Sequence, residues 1–260
     1  MSEPADDESA DDAMTLEFDV LSAWTREAVD HLGDDHALPA ACRGSASPSA
    51  LAWLGEACEL ARGSLLVDSG AGMGGPAAFA ALRFGVRPIL VDPMPGACRA
   101  ATALFGHPAT VGSGERLPVA DGVADAVWCL GVLCTTTAKA AVLREARRVL
   151  RPGGALGLLV FVADEPRPAG APEGNEFPRR DELPAMLRDA GFAVEEDQPL
   201  AAFPPAPVSW TRREAAVDRA IEAAHAGDER LAAAQAQQAR IGALLEDGVV
   251  EGLLLHATAR

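Results

Sequence analysis

The stretch Leu65-Leu66-Val67-Asp68-Ser69-Gly70-Ala71-Gly72-Met73-Gly74-Gly75 constrains this chain more than any other part of it. An apolar run of strand length ends in an acid and opens through glycines into a helical segment. Glycines at such a turn let the backbone bend tightly and let a ligand approach with no Cβ in the way. The strand belongs inside a sheet, and the turn marks the place where a polar ligand lies against the end of that sheet.

Beyond Gly63 the strand and turn become part of a whole architecture. Short apolar runs at 64–68, 87–92, 124–130 and 155–163 alternate with helical stretches at 76–84, 95–104 and 138–150, the pattern of a parallel sheet with helices on both faces. A further helix at 180–190 leads to an extended run at 192–200. Pro204, Pro205 and Pro207 then break the chain, helical segments at 211–225 and 228–245 come next, and a strand-like run at 249–257 closes it. Ahead of the sheet, Leu16, Val20, Leu21, Trp24 and Val29 recur near helical spacing, as do Leu51, Leu54, Cys58 and Ala61 behind Ser47 as a cap. Two helices are therefore expected before the first strand. Residues 1–14, rich in Asp, Glu, Ser and Ala, are expected to form a disordered acidic tail. The fold class is α/β and Rossmann-like, one domain with insertions.

Charge and cysteine usage narrow the function. A formal charge of -16 disfavours nucleic-acid and anionic-membrane partners, which are bound by neutralising phosphates with Lys and Arg. The pairs Arg179-Arg180 and Arg212-Arg213 read as solvated faces, and Lys139, the only lysine, reads as compositional bias. No uninterrupted apolar run is long enough to span a bilayer and the amino terminus is acidic, so a cytoplasmic location is expected. Cys42, Cys58, Cys98, Cys129 and Cys134 include no C-x-x-C pair and no histidine at ligand spacing, so no metal site or disulfide framework is expected.

By itself the glycine turn has two readings. Gly70, Gly72 and Gly75 satisfy G-x-G-x-x-G, with Asp92 at the distance that holds ribose hydroxyls, which leaves an NAD-dependent oxidoreductase open. Asp68, two residues before the first glycine, pulls the other way. A carboxylate there suits a ligand with a cationic amino group and repels a pyrophosphate.

Four stretches in this order resemble the class I S-adenosylmethionine-dependent methyltransferases of the small-molecule type: the D-x-G-x-G-x-G run Asp68–Gly74, Val91-Asp92-Pro93-Met94, Gly112–Pro118, and Ala124–Leu130 followed by Arg147–Gly154. The likeness covers about residues 51–200. It implies a seven-stranded, mostly parallel sheet with a helical insertion before the last strand. The implied division is N-terminal helices over the cofactor site at 15–62, a core at 63–203, a substrate-side insertion at 204–247 and a terminal strand at 248–260. It implies S-adenosyl-L-methionine as cofactor and S-adenosyl-L-homocysteine as product. Gly70, Gly72 and Gly74 would pack on the methionine part and Asp68 would reach its amino group. Asp92 would take the ribose hydroxyls, with Pro93 beside it, and Met94 and Leu117 would cover the two faces of adenine. Ser113, Gly114 and Glu115 would belong to the cofactor site too, with Ser113 where the family usually has an Asp for the adenine amine and Gly114 in place of an Ala. Leu130 ends the fourth strand beside the cofactor. Arg151-Pro152-Gly153-Gly154 reads as a helix end at Arg151 and a turn into the next strand.

The chemistry so implied is in-line displacement of an activated methyl by a small-molecule nucleophile, with positioning and desolvation as the main catalytic contributions and no fixed catalytic residue. The acceptor is expected beside the end of the fourth strand, where Cys134 and Thr135 lie. Trp24 and Phe18 are candidates for an aromatic lid. Trp210, His225, Gln235 and Gln238 are candidates on the insertion, the two glutamines falling on one stripe with Leu231 and Leu245. The competing readings are the NAD-dependent oxidoreductase and a cofactor-binding protein without catalysis. No motif specifies the acceptor atom or an oligomeric state.

Overall fold

A computed structural model describes residues 19–260. The acidic tail at 1–14, Leu16 and the lid candidate Phe18 lie outside the described residues. The described residues begin with α1 (Leu21–Leu32), a 3-10 turn (Asp34–His36), the short helix α2 (Ala37–Ala41) and α3 (Pro48–Ala57). Sequence patterning anticipated two helices here and missed α2, which at five residues shows no period. Ser47 caps α3 as expected, its hydroxyl accepting from the Ala50 N–H with Pro48 in the first turn.

The sheet is built from β1 (Leu65–Ser69), α4 (Gly75–Phe84), β2 (Arg87–Asp92), α5 (Pro95–Phe105), β3 (Ala109–Val111), β4 (Ala124–Leu130), α6 (Lys139–Val149) and β5 (Leu150–Ala163). Then come α7 (Leu183–Asp189), β6 (Phe192–Pro199), α8 (Val208–Ala224), α9 (Glu229–Glu246) and β7 (Val250–Ala259). The seven strands lie in the order β3-β2-β1-β4-β5-β7-β6. β1 to β5 run parallel and β7 runs antiparallel between β5 and β6. The chain winds outward from β1 to β3 and then crosses back to β4, so the sheet has its switch point between β1 and β4, where a crevice opens outside the strand ends.

Alternation along the central strands builds two cores. Val67, Val127, Cys129 and Leu158 point to the face covered by α6 and α7, while Leu66, Ala126, Trp128 and Leu159 point to the face covered by α3 and α4. Each buried leucine-sized side chain contributes about 1.5–3 kcal/mol, so both faces hold the sheet against its helices. Gly157 on β5 exists for Trp128: a Cβ there would sit 2.7 Å from the indole Cδ1. A separate apolar cluster joins Trp24, Val29 and Ala37 to Val217, Ile221 and Leu231, binding the N-terminal helices to α8 and α9.

Several boundaries differ from the sequence reading by a few residues, and two of them concern its motifs. Helix α6 ends at Val149, and the Arg151-Pro152-Gly153-Gly154 run belongs to β5, with the Arg151 guanidinium donating to Asp125 Oδ1 at 2.8 Å. That contact with β4 draws the chain into the sheet before proline is reached. α7 starts at Leu183, because Arg179-Arg180 precede a turn rather than a helix.

Candidate functional site

The site begins at the carboxyl end of β1. Gly70, Gly72 and Gly74 all have positive φ (76°, 52° and 76°), so the turn is closed to ordinary side chains. The turn is stapled to β2. The Gly70 N–H donates to Val91 O at 2.8 Å, and the Gly72 N–H to Asp92 Oδ2 at 2.7 Å. The other Asp92 oxygen accepts the Met94 N–H at 2.9 Å at the head of α5. Asp92, 7% exposed, thus joins the glycine turn to the next helix, and each oxygen keeps one lone pair for a further donor. Burial raises its pKa, and the two backbone donors oppose the rise.

Asp68 sits beneath the turn, 1% exposed, with Oδ2 lacking any hydrogen-bond partner. Its pKa is pushed up to about 7, chiefly by burial and then by the charge of Asp92. A buried carboxylate without a partner is costly, and a cation placed against it would remove that cost. The neighbouring Ser69 Oγ is also buried and unpartnered. Of the three turn glycines only Gly72 faces open space. A Cβ on Gly70 would meet Val132 Cγ2 at 2.3 Å, and one on Gly74 would meet Leu90 Cδ2 at 2.4 Å.

A cavity of about 910 Å³ opens beside this turn. Gly70, Pro93, Ser113, Gly114 and Glu115 form one wall, and Val132 with Thr135, Thr136 and Thr137 after β4 forms the floor. The opposite wall is the loop 164–178 between β5 and α7, through Arg167, Pro172, Glu173, Asn175 and Glu176. Asp68 and Asp92 lie just behind the first wall.

Comparison with known proteins matches residues 67–158 to a family model described as a methyltransferase domain. A stretch of 108 residues, 37% of this chain and 39% of the relative, is 36% identical to 27-O-demethylrifamycin SV methyltransferase from Amycolatopsis mediterranei (strain S699). A stretch of 56 residues, 21% of this chain and 23% of the relative, is 48% identical to thiol S-methyltransferase TMT1A from Homo sapiens. The chain thus matches about a quarter to two fifths of these curated relatives' length. Among solved structures, the cyclase SpnF superposes with a TM-score of 0.62 at 23% identity, over 80% of this chain and 79% of that one. Geranyl diphosphate C-methyltransferase from Streptomyces coelicolor A3(2) superposes with a TM-score of 0.58 at 19% identity, over 81% and 75%. The fold is that of the class I methyltransferases.

Around the matched segment, several residues singled out in the sequence sit elsewhere than expected. Leu117 is core: it packs under the sheet, its N–H donates to Glu145 Oε2 at 2.9 Å and its carbonyl accepts from Arg148. It does not line the cavity. Gly74 is likewise a packing glycine held against Leu90. Leu130 packs against the α3 and α4 side of the sheet. Ser113 does line the cavity, with its Oγ accepting the Glu115 N–H at 3.1 Å, and Met94 is half-buried at the head of α5.

Among the acceptor-side candidates, only Thr135 reaches the cavity, with its hydroxyl donating to Val132 O at 2.9 Å. Cys134 turns inward among Phe177, Leu244 and Val250, its thiol pushed up to about 12 by burial, and does not line the cavity. Trp24 stacks on His225 with ring centroids 3.8 Å apart and carries the Arg230 guanidinium over its ring, so both form the joint between α1 and the insertion. Trp210 packs near Phe203 in the second core. Gln235 is exposed and donates to Glu222, and Gln238 is exposed. The buried stripe of α9 runs through Leu231, Ala234 and Leu244, with Leu245 on the outside. Hence Gln237, one step round the helix, faces the cavity loop and accepts the Glu173 N–H at 3.2 Å.

Lys139 was passed over in the sequence. Buried beneath the cavity floor, its Nζ donates to Thr136 O at 2.7 Å and Glu176 Oε1 at 3.0 Å. Arg167 holds the other Glu176 oxygen at 3.2 Å, and the Glu176 N–H donates to Cys134 O at 2.7 Å. These contacts pin loop 164–178 over the end of β4. Its length without an element of its own was the available signal, since such loops in compact domains commonly carry function. Asp19 was missed as well: it accepts the Gly96 N–H and ties the first described residues to the start of α5.

Proposed function

We propose that the chain binds S-adenosyl-L-methionine at the β1 turn and transfers its methyl to a small-molecule acceptor in the adjoining cavity. One observation carries this reading: Asp68 presents a buried, unpartnered carboxylate oxygen under a turn that has no side chain at Gly72. An ammonium group answers that carboxylate, whereas a pyrophosphate would add charge of the same sign. When bound, the cofactor supplies a sulfonium methyl already activated for displacement.

The chain's own residues supply the rest. Asp68 takes the amino group and Gly70 and Gly72 let the aminoacyl part lie on the backbone. Asp92, pre-set by the Gly72 and Met94 amides, offers its free lone pairs to the ribose hydroxyls. Met94, Pro93, Ser113 and Gly114 border the adenine. Thr135, Thr136 and loop 164–178 hold the acceptor near the end of β4 and exclude water from the reacting atoms. In this reading the N-terminal helices close the cofactor side, and the insertion at 204–247 supports the acceptor wall through Gln237. The relatives that methylate a rifamycin precursor and a thiol support a small-molecule acceptor.

Titration calorimetry with S-adenosyl-L-methionine, S-adenosyl-L-homocysteine and NAD tests the assignment. Binding of the two sulfur compounds and no heat with NAD is expected. Binding of NAD alone would overturn it in favour of an oxidoreductase.

A further inference from the structure

Asp68 is 1% exposed and, like Asp92, lines no part of the cavity. An ammonium group can reach it only when the elements over that side of the turn move. Those elements are the N-terminal helices. The end of α2 lies so close on the head of α4 that a Cβ on Gly75 would touch Ala41 O and Cys42 N, and Asp19, just before α1, accepts the Gly96 N–H at the head of α5. Cofactor entry therefore displaces a cap.

What holds this cap from outside is the insertion. Trp24 of α1 stacks on His225, the Arg43 guanidinium behind α2 meets Asp218 of α8 at 2.7 Å, and Ala37 belongs to one apolar cluster with Val217 and Leu231. Leu231 stands near the start of α9, an 18-residue helix that spans about 27 Å. The far end of α9 stands on the acceptor loop. Leu244 and Ile241 pack in a cluster with Phe177 and Ala171, Gln237 accepts the Glu173 N–H at 3.2 Å, and Arg240 faces the Glu173 carboxylate at 3.8 Å. One stiff helix thus has an apolar foot on the cofactor cap and another on the wall of the acceptor cavity. Close-packed contacts of this kind transmit strain, so lifting one foot disturbs the other.

Resting on the methyltransferase reading for the ligands, we propose that α9 couples the two halves of the site: the N-terminal cap and loop 164–178 open and close as one body. A cofactor taken up beneath the cap then firms the acceptor wall. By linkage the coupling is reciprocal, and a seated acceptor tightens the cofactor. Water is excluded from the acceptor side only once the cofactor is in place.

Hydrogen exchange of the full chain, followed peptide by peptide with and without S-adenosyl-L-homocysteine, tests the coupling. In the wild type the ligand is expected to slow exchange within 164–178 by about fivefold or more, the low end of coupling between sites. His225→Ala removes the stack on Trp24 without touching a cavity wall, and should cut that protection to below about twofold. Gln237→Ala combined with Arg240→Ala frees Glu173 at the other foot. It should weaken loop protection likewise, while α1 stays as protected by the ligand as in the wild type. A loop ordered by direct contact with the ligand would keep its protection in both variants. Loop exchange unmoved by the ligand in the wild type, or protection in either variant equal to the wild type, overturns the proposal. Absence of S-adenosyl-L-homocysteine heat in calorimetry would instead overturn the methyltransferase reading, and the ligand-free chain would still test the coupling. H225A must then speed exchange in α1 and in 164–178 alike, with β1 unchanged, and an unmoved loop refutes the strut.

Discussion

Replacing Asp68 by Asn should stabilise the ligand-free protein in mild alkali and weaken it near pH 3, with loss of cofactor binding. The carboxyl titrates at about 7 in the fold against an ordinary 3.8. At about 1.4 kcal/mol per tenfold in proton affinity, ionising it in place costs on the order of 4 kcal/mol. Linkage gives the sign: between the two values the folded state holds the proton and the unfolded state does not, so stability falls as pH rises through this window and the penalty is complete above about 7. Asn removes that penalty but puts an amide where Oδ2 has no partner, at about 1–3 kcal/mol. The net expectation is a gain of about 1–3 kcal/mol at pH 8.5 and a loss of similar size only near pH 3, below the ordinary value, where the wild type carries no ionisation penalty. For a chain this long each kcal/mol moves Tm by about 2–4 °C, so differential scanning fluorimetry at the two pH values resolves the crossover. S-adenosyl-L-homocysteine affinity should fall about ten- to a hundredfold with the charge-assisted hydrogen bond. A Tm change of the same sign at both pH values, with affinity unchanged, would refute the role of Asp68.

The same linkage makes cofactor binding pH-dependent: affinity in the wild type should rise from pH 6 to about 7.5 as Asp68 ionises, then fall as the ligand's amino group, of pKa about 8, loses its proton. Calorimetry across that range checks the bell shape, and Asp68→Asn should abolish its acid limb. Asp92→Ala strands the Gly72 and Met94 N–H groups at about 1–3 kcal/mol each. It should lower both Tm and ligand affinity, and an affinity equal to wild type would contradict the ribose assignment. Gly75→Ala should cost about 1–3 kcal/mol by urea denaturation, because its Cβ would meet the Ala41 carbonyl carbon and oxygen at 2.4 Å, backbone that cannot swing aside. Lys139→Met should leave the sheet intact but speed proteolysis within 164–178, since Arg167 lies in the loop itself and the Glu176 N–H to Cys134 O bond is then what ties this segment to the end of β4. Cleavage elsewhere first would argue against the pin.

The local order of the chain determined most of the fold and the glycine turn after β1. Alternating apolar runs of strand length can only be buried on both sides as a parallel sheet, and a glycine-rich bend after a strand-end acid can only sit at its carboxyl edge. Asp68, Asp92 and the turn were legible for that reason. β3, with three residues, and α2, with five, fell below any periodic signal. Tertiary structure decided the rest. Leu117 became core and Gln237 displaced Gln235 and Gln238 because the angle at which a helix or loop meets the sheet selects the inward face. The lone Lys139 and Glu176, with 36 residues between them, became partners only once the loop after β5 folded back over the end of β4. Periodicity encodes which residues are buried, but contacts between distant segments depend on the three-dimensional path between them, which no local pattern carries.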